Sequence, residues 1–210
     1  YRKWHARYFC RKWALDHDGE NEKALEVARA LAARARKEKP GDAGWRFAAM
    51  WREAASLGYL GRYDQSLPMF EKAVALGEKS VGKDAAALGA ALYAFADVLR
   101  HKGDYPRAQK LYERSLAIYE KARGPEHPHV ATPLNNLGLV HWAGGEPGDA
   151  VRLFARAQVI EQAHLEKNLA QGSEREHRLF VGQFESSRDL RVSLALELSN
   201  AHEAATTMAA

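Results

Sequence analysis

Two carboxylate–imidazole pairs, Glu161-x-x-His164 and Glu174-x-x-His177, have the spacing that sets both side chains on one helix face, as a metal-binding pair requires. A two-metal centre of that kind also needs inward glutamates from a four-helix bundle. The chain has no zinc-type Cys/His spacing and no Gly-x-Ser-x-Gly nucleophile elbow. The stretch Gly77-Glu78-Lys79-Ser80-Val81-Gly82-Lys83-Asp84 nearly spells a phosphate-cradling loop. Such a loop needs a Ser or Thr hydroxyl after the lysine to hold Mg²⁺, and a strand before the first glycine. Here Asp84 would repel phosphate, and the preceding pattern is helical. Cys10 is the one cysteine, so no intrachain disulfide can form; among aromatic neighbours it reads as a small buried hydrophobe. No catalytic residue, metal or cofactor is therefore expected.

Charge and composition narrow the partners. The 210 residues carry a net charge of +4, with 46% hydrophobic and 28% charged residues, as in a folded soluble chain. Residues 1–40 contribute +5 of that charge and the remainder −1, so basicity belongs to one end. Within it, Tyr1-Arg2-Lys3-Trp4-His5-Ala6-Arg7-Tyr8-Phe9-Cys10-Arg11-Lys12-Trp13 mixes cations with aromatics, which suits phosphate contact and base stacking. The same residues also suit a buried edge with basic stems lying over it, and that reading is preferred, so nucleic acid is not the expected partner. No run is long and apolar enough to span a bilayer and no secretory leader is seen, so a cytoplasmic location and no membrane partner are expected. The chain starts at Tyr1 and is read as an excerpt or processed form.

The elements that must position any site announce themselves by a repeat. Gly61, Gly103 and Gly145 lie 42 residues apart. Each is followed at five residues by a small side chain (Ser66, Ala108, Ala150), at nine by an aromatic (Phe70, Tyr112, Phe154) and at twelve by another small one (Ala73, Ser115, Ala157). A fixed period of this length marks a stacked array. Before each glycine, Met50, Ala54 and Leu57 recur as Leu92, Ala96 and Leu99, then as Leu134, Gly138 and His141, an apolar stripe at helical spacing. The connectors match too, Gly82-Lys83-Asp84 with Gly124-Pro125-Glu126. Expected helices are 1–17, 21–38, 44–59, 63–80, 84–101, 105–122, 128–143, 147–169, 174–185 and 188–206. Residues 1–40 form a diverged first repeat, 41–170 three 42-residue repeats, and 171–210 helices that cap the array. The expected fold is all-α, a right-handed α-solenoid of stacked helix-turn-helix repeats with a C-terminal capping segment.

Gly103-Asp104-Tyr105-Pro106-Arg107-Ala108 through Tyr112 resembles the tetratricopeptide repeat (TPR). The 42-residue length, and Gly124-Pro125-Glu126-His127-Pro128-His129-Val130-Ala131 running into Leu134-Asn135-Asn136-Leu137-Gly138, is similar to the kinesin light chain subtype over residues 44–170. Gly145-Glu146-Pro147 departs from the usual Gly-x-Tyr, which implies a looser last turn. The tail, Gln171-Gly172-Ser173-Glu174 and Ser193-Leu194-Ala195-Leu196, looks like the junction that precedes a caspase-like CHAT peptidase domain in bacterial proteins. That resemblance implies a bacterial chain serving as the sensor arm of a peptidase, in cis or in trans. The peptidase activity does not carry over, because its His/Cys dyad has no counterpart here.

The resemblance implies a non-enzymatic scaffold that binds a peptide or protein segment on a concave wall made by the first helix of each pair. Between the packing positions, the expected exposed stripe is Trp51, Tyr93 and Asn135, then Ala55, Asp97 and Leu139, then Gly58, Arg100 and Trp142. Trp51, Tyr93 and Trp142 are the expected aromatic anchors, and Asp97, Arg100 and Asn135 the polar clamps, because Trp and Arg dominate interface energetics and an Asn amide can hold both backbone groups of an extended peptide. Asn135 matches the peptide-facing Asn of the resembled repeats. The opposing reading packs the three aromatics between adjacent first helices.

Overall fold

A computed structural model describes residues 18–38 and 41–169. Seven helices follow in order: α1 (Asp18–Glu38), α2 (Ala43–Tyr59), α3 (Tyr63–Ser80), α4 (Ala86–Lys102), α5 (Tyr105–Arg123), α6 (Pro128–Gly144) and α7 (Pro147–Leu169). All lie within three residues of the expected bounds. The expected helices at 1–17, 174–185 and 188–206 fall outside the described residues, as do Cys10, the basic N-terminal stretch and the 171–210 segment.

Turn chemistry sets the helix ends. Gly61, Gly82, Gly103, Gly124 and Gly145 have positive φ, between 74° and 96°, and they fall 21 residues apart, so every connection from α2 onward pivots on one. The 42-residue period is thus two half-periods of turn. After each first helix the closing bond repeats in register: Arg62 N–H donates to the Leu57 carbonyl, Asp104 to Leu99 and Glu146 to His141, at 2.8–2.9 Å. This is the glycine-terminated cap that satisfies the last carbonyls of a helix. At Gly145 it closes as well as at its counterparts, so Pro147 does not loosen the turn. Asp42 and Asp104 accept from the amides of Trp45 and Arg107, capping α2 and α5. His127 Nδ1 accepts from the His129 amide at 3.1 Å and caps α6 ahead of Pro128. Helix α4 starts at Ala86, later than expected, because Gly82–Ala85 form the turn and Asp84 reaches instead to Lys121.

The hairpins α2/α3, α4/α5 and α6/α7 pack along their lengths, with α1 against α2. Their contact surfaces are the small and aromatic positions of the repeat. Ser66, Ala108, Ala150, Ala73, Ser115 and Ala157 are fully buried, as are Phe70 and Tyr112, with Phe154 nearly so. Ser66 Oγ donates to the Ala54 carbonyl at 2.6 Å and Ser115 Oγ to Gly89 at 2.8 Å, so the hydroxyls enter the helix crossings satisfied. First helices of successive repeats lie side by side, α2 with α4 and α4 with α6. Second helices stand further apart and are bridged by Arg107–Glu71, Arg114–Glu78 and Arg156–Glu120, each pair spanning 36 residues. Closer spacing on one side curves the wall toward the first helices. Each exposed pair adds little stability by itself.

Gly58 corrects one expectation. It is buried, not part of an exposed stripe: a Cβ there would meet Val98 Cγ2 at 2.4 Å and Ser66 Oγ at 2.9 Å, so it is the point where α2 touches both its own partner and the next repeat. Gly58→Ala should lower stability by about 1–3 kcal/mol, the usual cost of overpacking. Gly148→Ala, where nothing lies within 4 Å, should be neutral or stabilising by up to about 1 kcal/mol. Urea denaturation of both variants beside the parent checks the contrast.

Candidate functional site

Each first helix presents the same position to the wall: Trp51 on α2, Tyr93 on α4 and Asn135 on α6 are all half-buried. The Arg52 guanidinium lies 4.5 Å above the Trp51 ring and donates to the Ala48 carbonyl. Tyr93 tilts against Tyr112 with ring centroids 5.7 Å apart, and its hydroxyl accepts from Asn136 Nδ2 at 2.8 Å. Asn135 Nδ2 donates to Glu161 Oε1 of α7 at 2.8 Å, whereas its buried Oδ1 has no hydrogen-bond partner among the described residues. Glu161 is therefore engaged with Asn135; the other carboxylate–imidazole spacing, Glu174 and His177, lies outside the described residues.

The polar clamps behave differently from expectation. Asp97 is only 7% exposed. Its Oδ1 accepts from Arg100 Nη2 at 2.6 Å, Arg100 Nε at 3.1 Å and the Tyr112 hydroxyl at 3.1 Å. Its Oδ2 accepts from the Tyr59 hydroxyl at 3.0 Å and faces His101 Nε2 at 3.5 Å. Asp97 and Arg100 thus satisfy each other inside a closed network instead of standing as separate groove-facing clamps. The physical reason is that Tyr59, from the preceding first helix, and Tyr112, from the partner helix, converge on one carboxylate. Burial by itself would raise the Asp97 pKa, but Arg100 and His101 overcome it and hold the carboxyl well below the usual range. The tyrosines respond oppositely: burial first, then the Asp97 charge, pushes Tyr59, Tyr93 and Tyr112 well above the usual phenol value. Ala55 is buried too, while Leu139 and Trp142 are half-buried against Phe154 and Ala150.

Sequence reasoning assigned Tyr112 to packing and passed over Tyr59, His101 and Asn136. A signal was present. Where the flanking repeats have Ala55 and Leu139, Phe70 and Phe154, Gly58 and Trp142, the middle repeat has Asp97, Tyr112 and Arg100. Polar departures from the packing register, all in one repeat, predict that they find each other.

The α5–α6 connector holds a second cluster. His127 and His129 stack at 5.1 Å and His129 stacks on Tyr119 at 5.6 Å, beside Arg123. Burial, then Arg123, pushes both imidazoles below their usual pKa. Neutral His127 is what its capping role needs, since Nδ1 accepts there.

Stacked helical hairpins with a curved inner wall define the class of repeat scaffolds that associate with other proteins. The tetratricopeptide repeat family model matches residues 45–121 and 88–158, and the chain belongs to that family. Its fold is that of kinesin light chain-like arrays. It is similar to BtubC (BKLC) from P. vanneervenii, at 18% identity and a TM-score of 0.62 over 84% of this chain and 76% of that one. It is also similar to a kinesin light chain candidate from Podosopora anserina with nearly identical TPR-like repeats, at 17% identity and a TM-score of 0.56 over 95% and 96% of the two chains. No curated protein matches. Tetratricopeptide arrays are typically non-enzymatic and bind protein partners. Among the described residues no helix is long and apolar enough to cross a membrane.

Replacing the Asp97 carboxylate by an amide should leave Arg100 without its counter-charge and replace one of the two acceptor oxygens that serve Arg100, Tyr112 and Tyr59 by a donor. Asp97→Asn is expected to cost about 3 kcal/mol, as for a broken buried pair. Because the folded pKa is depressed, the charge contributes fully above the unfolded value of about 3.9 and is lost as pH falls toward the folded one. Urea melts between about pH 7 and pH 3 should show this acid loss in the parent and a flatter profile in Asp97→Asn.

Proposed function

We propose that the array is a scaffold that binds an extended segment of a partner protein along the inner wall formed by α2, α4 and α6. The observation that carries this reading is the state of Asn135. Its amide is oriented by Glu161, so the carbonyl oxygen is held as an acceptor, and that oxygen has no partner among the described residues. A buried acceptor left unmade costs about 1–3 kcal/mol, and a bound segment that drew the half-buried amide outward would supply the missing donor from its backbone N–H. Trp51 and Tyr93 at the same repeat position, with Trp142 one hairpin edge further, offer half-buried rings for its side chains. Arg100 and Asp97 support the wall from beneath: their network fixes the Tyr59 hydroxyl and stands against the same Tyr112 ring on which Tyr93 rests.

A peptide-display library selected on the purified chain provides the probe. Asn135→Ala should weaken the best selected peptide at least tenfold, about 1.4 kcal/mol. A control on the opposite face, Val159→Ala, exposed on α7, should leave binding within about twofold of the parent, a change of about 0.4 kcal/mol. Equal affinity for the parent and Asn135→Ala, or loss only with Val159→Ala, would remove the inner wall as the binding surface.

A further inference from the structure

The turn joining α6 and α7 gathers one imidazole nitrogen and two carboxylates, from His141, Glu146 and Asp149, with the three donor atoms within 4.8 Å of one another. The repeat register makes His141 and Asp149 exceptions. Position 141 is matched by Leu57 and Leu99, which are 1% and 0% exposed. Glu146 stands where the earlier hairpins have Arg62 and Asp104, and Asp149 where they have Gln65 and Arg107. A position that packing fills with leucine twice is given to an imidazole once, and only there do two carboxylates turn toward it.

The backbone holds the group together. Gly145, at φ +85°, reverses the chain, and the Glu146 amide donates to the His141 carbonyl at 2.9 Å. That bond sets the Glu146 side chain beside the imidazole, and Oε2 lies 2.6 Å from His141 Nδ1. Asp149 follows in the first turn of α7, where it meets the exposed Arg152 guanidinium. The His141 side chain is 17% exposed, whereas Glu146 and Asp149 reach into solvent, so the imidazole is anchored and the carboxylates can adjust.

We propose that His141, Glu146 and Asp149 form a binding site for a divalent transition-metal ion, with zinc the best match. One imidazole with two carboxylates suits metals that accept nitrogen, not the all-oxygen shells of calcium or magnesium. Zinc bonds of about 2.0–2.1 Å in a tetrahedral shell set donors about 3.3 Å apart. Drawing Asp149 inward from Arg152 meets that spacing, and the fourth position opens to water. The ion would take the place of the proton between His141 and Glu146 and tie the end of α6 to the start of α7. The spacing His-x₄-Glu-x₂-Asp crosses a helix end, which is why the helix-face patterns sought in the sequence passed over it.

Calorimetric titration of zinc chloride into the untagged full chain, with thermal melts at each zinc level, tests the site. The parent should show a one-site isotherm and a rising melting temperature. His141→Leu restores the residue that packs in the two preceding repeats and should weaken that binding at least tenfold. Glu146→Gln, at an exposed position, should do the same without touching packing. Magnesium chloride should give neither signal. Unchanged zinc affinity in both variants would assign the binding to other histidines and overturn the proposal. So would the absence of heat and of a melting shift in the parent at zinc up to about 1 mM, where binding energy falls to about 4 kcal/mol.

Discussion

Every hairpin of this array depends on two helices approaching closely enough for an aromatic ring to close the gap beside a small residue. Phe154 shows the constraint most directly: its ring carbons would lie 2.6–2.9 Å from a Cβ at Gly138, so the helix has no side chain there. Ala54 and Ala96 occupy the same position in the other hairpins, in one buried cluster with Phe70 and Tyr112. Small residues at crossings let helix axes draw together and leave no void. Once that approach is set at one hairpin, the 42-residue spacing carries it to the next, and the half-period glycines turn the chain each time. Stacking, curvature and the inner wall all follow from it.

The repeats also serve as internal references for one another. A core position filled by Ala, Leu or Phe in two hairpins and by a polar residue in the third shows what packing alone would have chosen. By that measure the middle hairpin carries one polar group of its own, centred on Asp97, and the last carries another, centred on His141. The first is buried, with both carboxylate oxygens accepting hydrogen bonds, so it specifies how α2, α4 and α5 meet. Buried charge rarely adds net stability over a well-packed apolar substitute. Its value here is register: Tyr59 of one repeat and Tyr112 of the next must both reach the same carboxylate. The second lies in the last turn of the described array, between α6 and α7.

Tight inner spacing and looser outer spacing divide the work between the two faces. On the outer side, ion pairs at a constant 36-residue separation bridge the second helices without filling the space between them. On the inner side, the Tyr93 ring rests on Tyr112 and its hydroxyl on Asn136, and Asn135 reaches across to Glu161. The wall side chains are therefore oriented by their neighbours.

Much of this was legible in the residues alone. The period, the helix bounds within three residues, the small and aromatic packing positions and the turn glycines can all be read along the chain, because helical spacing and φ > 0 turns are local demands. Family membership was legible for the same reason, as its motifs are the packing positions themselves. The partners of polar side chains were not. Asp97 and Arg100 read as wall residues by their helical phase, yet a tyrosine 38 residues earlier and another 15 residues later close over that carboxylate. His141, Glu146 and Asp149 read as a stripe residue and two turn residues until the reversal at Gly145 set them facing one another. Periodicity determines which side of a helix a residue occupies. Which groups meet across helices is decided only when the hairpins stack, since those distances depend on the approach of axes that no single segment contains.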